Sequence, residues 1–430
     1  MFAGKTASEI FNNIRQHIAS GSLSAGDSLP PVRELAATLN VNRNTVAAAY
    51  KRLVVSGLAE SLGRNGTVIK GAQYPVALEG NHLRTPLSDL SGGNPAPDRL
   101  PDTRRYFAKI STTPRLYGDD AVSPGLQAWA QAWMHQAMPG AGAIDVTSGA
   151  IDATERLLFA HLLPGDSVAV EDPCFLSSIN TLRYAGFTPC PVGVDSQGMQ
   201  PEALEQALSK GARAVILTPR AHNPTGCSLS APRAAALQQV LAQYPHVLVI
   251  VDDHFALLSS SPWHPVIPPQ TRHWAIVRSL SKTLGPDLRL AIVASDPATS
   301  TKLRLRLNSG SQWVSHILQD LAYACLSDHE YLQELARTRQ YYAAQQQKFI
   351  TALAKHGLEF SPGDGLNFWL PLNRESQTAA FMLAKAGWLV REGEAFGVNT
   401  PAHGLRITLS TLNDKEISKL AADIHQALIH

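Results

Sequence analysis

Apolar positions in the first seventy residues recur every three or four places, whereas further along they gather into short continuous runs divided by amphipathic stretches. Ile10, Phe11, Ile14 and Ile18 share one face of a helix predicted over residues 8–18. The chain then turns between Gly21 and Gly26, and Leu29-Pro30-Pro31 leads into a second short helix, 32–39. After the tight turn Asn40-Val41-Asn42, residues 43–53 read as a third helix whose first turn is polar and basic. Residues 57–68 read as a hairpin, with Asn65-Gly66 at its tip suiting a tight turn. Residues 71–87 carry Pro and Gly without clear periodicity and read as a linker. Strands predicted at 167–171, 214–217, 247–251, 274–277 and 290–294 alternate with helices at 150–162, 201–209 and 231–244, as in an open α/β sheet. A long helix follows at 331–356. A small C-terminal α+β subdomain is expected from about residue 330, with shorter pieces from about 358.

At 430 residues, 44% hydrophobic and 17% charged, the chain is globular and long enough for two or three domains. The net charge of +2 hides an asymmetry. Residues 1–70 hold eight basic and four acidic residues, while the rest holds 29 basic and 31 acidic. A basic head on a near-neutral body points to a polyanion partner for the head alone. The four cysteines show no CxxC spacing, which fits reduced thiols. The N-terminus has no apolar signal segment, and no run of roughly 18 residues is continuously apolar. These features predict a cytoplasmic protein with no membrane span. No HExxH-type spacing points to a metal.

A helix-turn-helix lays its second helix in the major groove, where the first turn meets base edges and phosphates. Asn42, Arg43, Asn44 and Thr45 supply donors and acceptors there, and Arg64 on the hairpin would reach a phosphate or the minor groove. Leu29-Pro30-x-x-Arg33-x-Leu35-Ala36, Arg43-x-Thr45-Val46-x-x-Ala49-Tyr50-x-x-Leu53 and Gly63-x-x-Gly66-Thr67 closely resemble the DNA-binding domain of GntR-type bacterial regulators. That resemblance implies a winged helix-turn-helix over residues 1–70, with Arg33 and Arg43 on double-stranded promoter DNA and Thr45 on phosphate.

The body carries a second constellation. Pyridoxal 5′-phosphate (PLP) needs a lysine amine for its aldehyde, and Lys282 stands in Ser279-Leu280-Ser281-Lys282. Its pyridine nitrogen needs a carboxylate. Asp252, closing an apolar strand, is well placed, with Asp253 the weaker alternative. Its ring oxygen needs a donor, Asn223, and its ring face an aromatic, Phe175. Its phosphate needs backbone N–H groups at a helix start, hydroxyls and an arginine. Ser148-Gly149-Ala150, Ser279, Ser281 and Arg289 supply these.

Asn223-Pro224-x-Gly226, an aspartate thirty residues before the lysine, and Ser-x-Ser-Lys with Arg289 resemble the fold-type I aminotransferases over residues 88–430. The resemblance implies a large mixed-sheet α/β domain and a small C-terminal subdomain. It implies that Tyr117 reaches the cofactor phosphate of the other subunit and that Arg406 clamps a substrate carboxylate. His254 stands where many relatives have a tyrosine on the ring oxygen; imidazole also donates, but titrates near neutrality.

A GntR-type head on an aminotransferase-like body resembles the MocR family of bacterial transcription regulators. This implies a PLP-responsive, domain-swapped, head-to-tail homodimer, in a branch tied to vitamin B6 salvage and the pyridoxal kinase gene. Two other readings of the same residues are an amine- or amino-acid-sensing regulator with PLP as a fixed group, and an active aminotransferase.

Overall fold

The computed structural model describes residues 2–63, 66–70, 85–111, 113–140 and 142–429. Two compact units emerge, a small one built mainly from the N-terminal head and a large one built from the body.

The head holds three helices, α1 (Ala7–Ala19), α2 (Val32–Leu39) and α3 (Arg43–Val55), and a two-stranded wing, β1 (Ala59–Ser61) and β2 (Thr67–Ile69). Local chemistry sets each boundary. Thr6 caps α1 by accepting from the Glu9 N–H at 3.2 Å. Asn40 ends α2 in the left-handed conformation, with φ 51°. Asn42 Oδ1 caps α3 by accepting from the Asn44 N–H at 2.8 Å. Ile10, Ile14, Leu35, Val46, Ala49 and Leu53 form the core, and the buried Tyr50 hydroxyl donates to the Pro30 carbonyl at 2.7 Å, tying α3 to the start of α2. β1 and β2 pair antiparallel with Glu60 opposite Val68, and Ser28 bridges Val68 from the other side. The hairpin is therefore present; Arg64 and Asn65, at its predicted tip, lie outside the described residues. So do residues 71–84 of the predicted linker.

The body begins with β3 (Ser88–Asp89). Eight further strands form the main sheet: β4 (Ala143–Thr147), β5 (Ser167–Asp172), β6 (Thr188–Asp195), β7 (Gly198–Met199), β8 (Ala214–Leu217), β9 (Leu248–Asp252), β10 (His273–Ser279) and β11 (Ala291–Ser295). Their order is β4-β11-β10-β9-β8-β5-β6-β7. Strands β5, β8, β9 and β10 are parallel, and β11 runs against both β10 and β4. Their runs, such as Leu-Val-Ile-Val in β9, are buried on both faces, as the centre of such a sheet requires. The five predicted strands match β5, β8, β9, β10 and β11 within two residues at either end.

A smaller three-stranded sheet, β12 (Asn367–Pro371), β15 (Gly404–Thr408) and β14 (Arg391–Glu392), has its own core around Phe349, Phe368, Leu405 and Ile407. The long helix His329–Ala354 contributes Phe349 to it. β13 (Trp388–Leu389) pairs in parallel with β3, and Leu90 joins the same core. The small subdomain thus draws on residues from both ends of the body. Among the described residues no helix is long and apolar enough to cross a membrane.

Candidate functional site

The carboxyl ends of parallel strands are where an open α/β sheet binds ligands, because the loops part there. A cavity of about 330 Å³ lies at that edge in the body. Lys282, Asn223, His254, Phe175 and Arg289 line it, as do Asp252 and Ala150. Ser279 and Ser281 line it as well.

The adjacent acids Asp252 and Asp253 have opposite fates. Asp253 is fully buried and accepts from Arg220 Nη2 at 2.6 Å, Arg220 Nε at 3.0 Å and Arg278 Nε at 3.0 Å. Arg278 also lies over the Trp133 ring, 4.4 Å from its centroid. Asp252, which ends β9, is among the residues lining the cavity, and its Oδ1 is buried without a hydrogen-bond partner. Burial, and then the Asp253 charge, push its carboxyl up to about 7. A buried acceptor left open beside a cavity fits a charged N–H donor such as a pyridinium.

Lys282 sits in the short helix Ser281–Leu284 after β10, and its Nζ donates to the Gly93 carbonyl at 2.5 Å. Asn223 Oδ1 accepts from Arg406 Nη1 at 3.1 Å, which leaves the Asn223 amide hydrogens for another acceptor. Arg406 is fully buried, donates to the Ser91 carbonyl, and lies over the Phe396 ring. It is not among the residues lining the cavity. Gly149 caps the helix Ala150–His161 at φ 101° and ψ 168°, a conformation that side chains disfavour. A Cβ there would lie 2.8 Å from Arg289 Nη2, so glycine lets the guanidinium approach the helix start. Ser148 is exposed, and its N–H donates to Asp152 at 3.0 Å. The His254 ring is held neutral: burial and then Lys282 lower it to about 4. Tyr117 lies elsewhere in the body, 86% exposed and edge-on to Trp313.

Two residues of the cavity region went unnoticed in the sequence, Glu171 and His222. Their Oε2 and Nε2 are 3.3 Å apart and both side chains are buried. A charged residue closing the buried run Val-Ala-Val of β5 was the available signal.

In the head, Arg33, Arg43 and Asn44 are exposed and Thr45 half-buried. Asn42 is exposed, but its oxygen is committed to the cap, leaving its amide hydrogens for other contacts.

Residues 86–424 match the family model for aminotransferase class I and II, and residues 6–69 match that for bacterial regulatory proteins of the gntR family. The vitamin B6 salvage pathway transcriptional repressor PtsJ of Salmonella typhimurium is 74% identical over 428 residues, covering 100% of both chains. The probable rhizopine catabolism regulatory protein MocR of Rhizobium meliloti is 24% identical over 81% of this chain and 77% of its own. Among solved structures, the α-aminoadipate aminotransferase LysN of Thermus thermophilus, complexed with N-(5′-phosphopyridoxyl)-L-leucine, aligns at a TM-score of 0.71. It is 21% identical and covers 83% of this chain and 96% of that one. This last likeness establishes the fold alone.

Proposed function

Because the chain belongs to the class I and II aminotransferase family and carries a gntR-family head, the layout of MocR-type regulators, we propose that it is a transcription regulator that binds promoter DNA and responds to PLP. The head, residues 1–70, would bind DNA through Arg33, Asn42, Arg43, Asn44, Thr45 and Arg64. The body, residues 88–430, would bind PLP. Its 74% likeness to a vitamin B6 salvage repressor supports repression of a salvage gene, such as that for pyridoxal kinase, in the cytoplasm.

The observation that carries the ligand assignment is that Asp252, whose buried Oδ1 has no hydrogen-bond partner, and Lys282 line one cavity. PLP supplies an aldehyde that captures amines and a ring that withdraws electrons. This chain's residues do the rest. Lys282 holds the aldehyde end, and Asp252 keeps a proton on the ring nitrogen. Asn223, oriented by Arg406, donates to the ring oxygen, with His254 beside it. Phe175 covers the ring face. Arg289, the hydroxyls of Ser148, Ser279 and Ser281, and the backbone N–H groups of Gly149 and Ala150 would hold the phosphate.

Tyr117, with its exposed ring, would complete the phosphate site of a second copy in a head-to-tail, domain-swapped homodimer. Arg406, covered by Gly93 and Asn223 of the cavity wall, would receive the carboxylate of an amino acid only once those residues part. Ligand binding changes promoter affinity only through unequal affinity for the body's two states.

Titration of cofactor-stripped protein with PLP, followed by near-ultraviolet absorbance, tests the site. The expected result is a saturable band that borohydride fixes to Lys282 and that Lys282→Ala abolishes. A wild-type protein without that band would overturn the assignment.

A further inference from the structure

In the cavity wall that includes Asp252 lies a buried acid–imidazole pair. Glu171 ends the apolar run of β5, and its Oε1 accepts from the Thr218 N–H at 3.0 Å. Its Oε2 faces His222 Nε2 at 3.3 Å. His222 Nε2 is buried with no hydrogen-bond partner of ordinary geometry, so this long contact with Glu171 is its available proton partner.

The other end of the imidazole fixes its tautomer. His222 Nδ1 lies 2.7 Å from Thr225 Oγ1. That hydroxyl has one hydrogen, which it donates to Cys227 Sγ at 3.0 Å. With its hydrogen on the Cys227 side, the hydroxyl accepts from His222 Nδ1–H. In a neutral ring, Nε2 is then a bare lone pair turned toward a carboxyl oxygen. Two lone pairs at that distance repel unless one proton lies between them. The pair is thus either a carboxylic acid with a neutral imidazole or a carboxylate with an imidazolium. Both have zero net charge.

We infer that Glu171 and His222 share one proton near Asp252, so that the negative charge available to the ring nitrogen of the bound cofactor stays on Asp252. The inference rests on the proposed PLP site.

The surroundings favour the uncharged form. Burial raises Glu171 to about 8, with a further push from Asp252, and lowers His222 to about 3. Asp172, Cys174, Cys227 and His254 are further titratable groups near the pair. Asp172 is itself raised by burial. Both thiols are held protonated, and His254 is neutral. Asp253 is matched by Arg220 and Arg278. A charge on Glu171 would add to the burden on Asp252, which would then keep a proton of its own and lose its hold on the ring nitrogen. Glu171 and His222 are positioning residues by this account, acting through Asp252.

The test is a pH titration of PLP affinity and of the near-ultraviolet band, from pH 6 to 10, on full-length protein. In the wild type an alkaline transition is expected, above which affinity falls roughly tenfold per pH unit, as loss of one proton requires. Glu171→Gln keeps an acceptor for Thr218 and a donor for His222 and cannot ionise. It is expected to bind PLP normally at pH 7 and to lack that transition. His222→Gln puts an amide donor against Glu171, which favours its anion, so the transition should move to lower pH. If Glu171→Gln fails to fold, the direction of the His222→Gln shift decides. Identical titrations of the variants and the wild type would overturn the inference while leaving the PLP site standing. Absence of a PLP band in the wild type would overturn the site and the inference with it.

Discussion

Replacing Gly149 with alanine puts a methyl group into the gap between a helix start and Arg289. Two costs follow. Backbone at φ 101° and ψ 168° is nearly reserved to glycine, so the variant carries about 1–3 kcal/mol of strain whether or not cofactor is bound. The new Cβ would also sit 2.8 Å from Arg289 Nη2 and 3.2 Å from Cζ. Those atoms end a flexible side chain, so the arginine swings away and the fold survives. What is lost is its aim at the phosphate. A hydrogen bond between charged groups contributes about 1.5–3 kcal/mol, which is about 10- to 150-fold in PLP affinity. Absorbance titration with PLP measures the second cost, and thermal melts of the cofactor-stripped protein measure the first. Arg289→Gln is the control: it should lose similar affinity without lowering the cofactor-free melting temperature. A Gly149→Ala protein that binds PLP as tightly as the wild type would refute the phosphate cradle, whatever its stability.

Further expectations concern the paired acids, the pH response and the head. Asp252→Asn removes a buried, unpaired carboxylate, so the cofactor-free protein should melt at the same temperature or higher while PLP binding weakens. Asp253→Asn strands two buried arginines and should cost about 3–5 kcal/mol in denaturant unfolding. Burial lifts Asp252 to about 7 and Glu171 to about 8, so the unfolded chain gives up these protons first. The buried histidines, lowered to about 3 and 4, act in the opposite sense below about pH 6.5, so stability of the cofactor-free protein should fall as pH rises from about 6.5 to about 8, and fall less in Asp252→Asn. In the head, Arg43→Ala should weaken promoter binding, and if Arg43 contacts phosphate, the log–log salt slope should drop by about one; an unchanged affinity would remove Arg43 from the interface.

The legible parts of this protein were those whose spacing along the chain repeats their spacing in space. Lys282 and Arg289 flank one short turn, Asn223 stands in its own loop, and the apolar runs of β5, β8 and β9 announce a buried sheet. Asp252 and Asp253 are neighbours of one residue type, and only tertiary contacts part them. The partners that take Asp253 out of the cavity, Arg220 and Arg278, are 33 and 25 residues away. Glu171 lies in β5 and His222 in the loop after β8, and they meet only when β5 and β8 align. The pairing of Ser88–Asp89 with Trp388–Leu389 spans the whole body, and no local period could signal it. Asn42 illustrates a different limit, since one residue at a helix start serves equally as a cap and as a donor to DNA.

The most direct test of the account is the affinity of cofactor-stripped protein for its own promoter-region DNA, measured with and without PLP at one fixed salt concentration. The account predicts that PLP changes this affinity in the wild type and has no such effect in Lys282→Ala. Wild-type affinity that PLP leaves unchanged would contradict it, and PLP would then be a fixed group in a body that answers to something else.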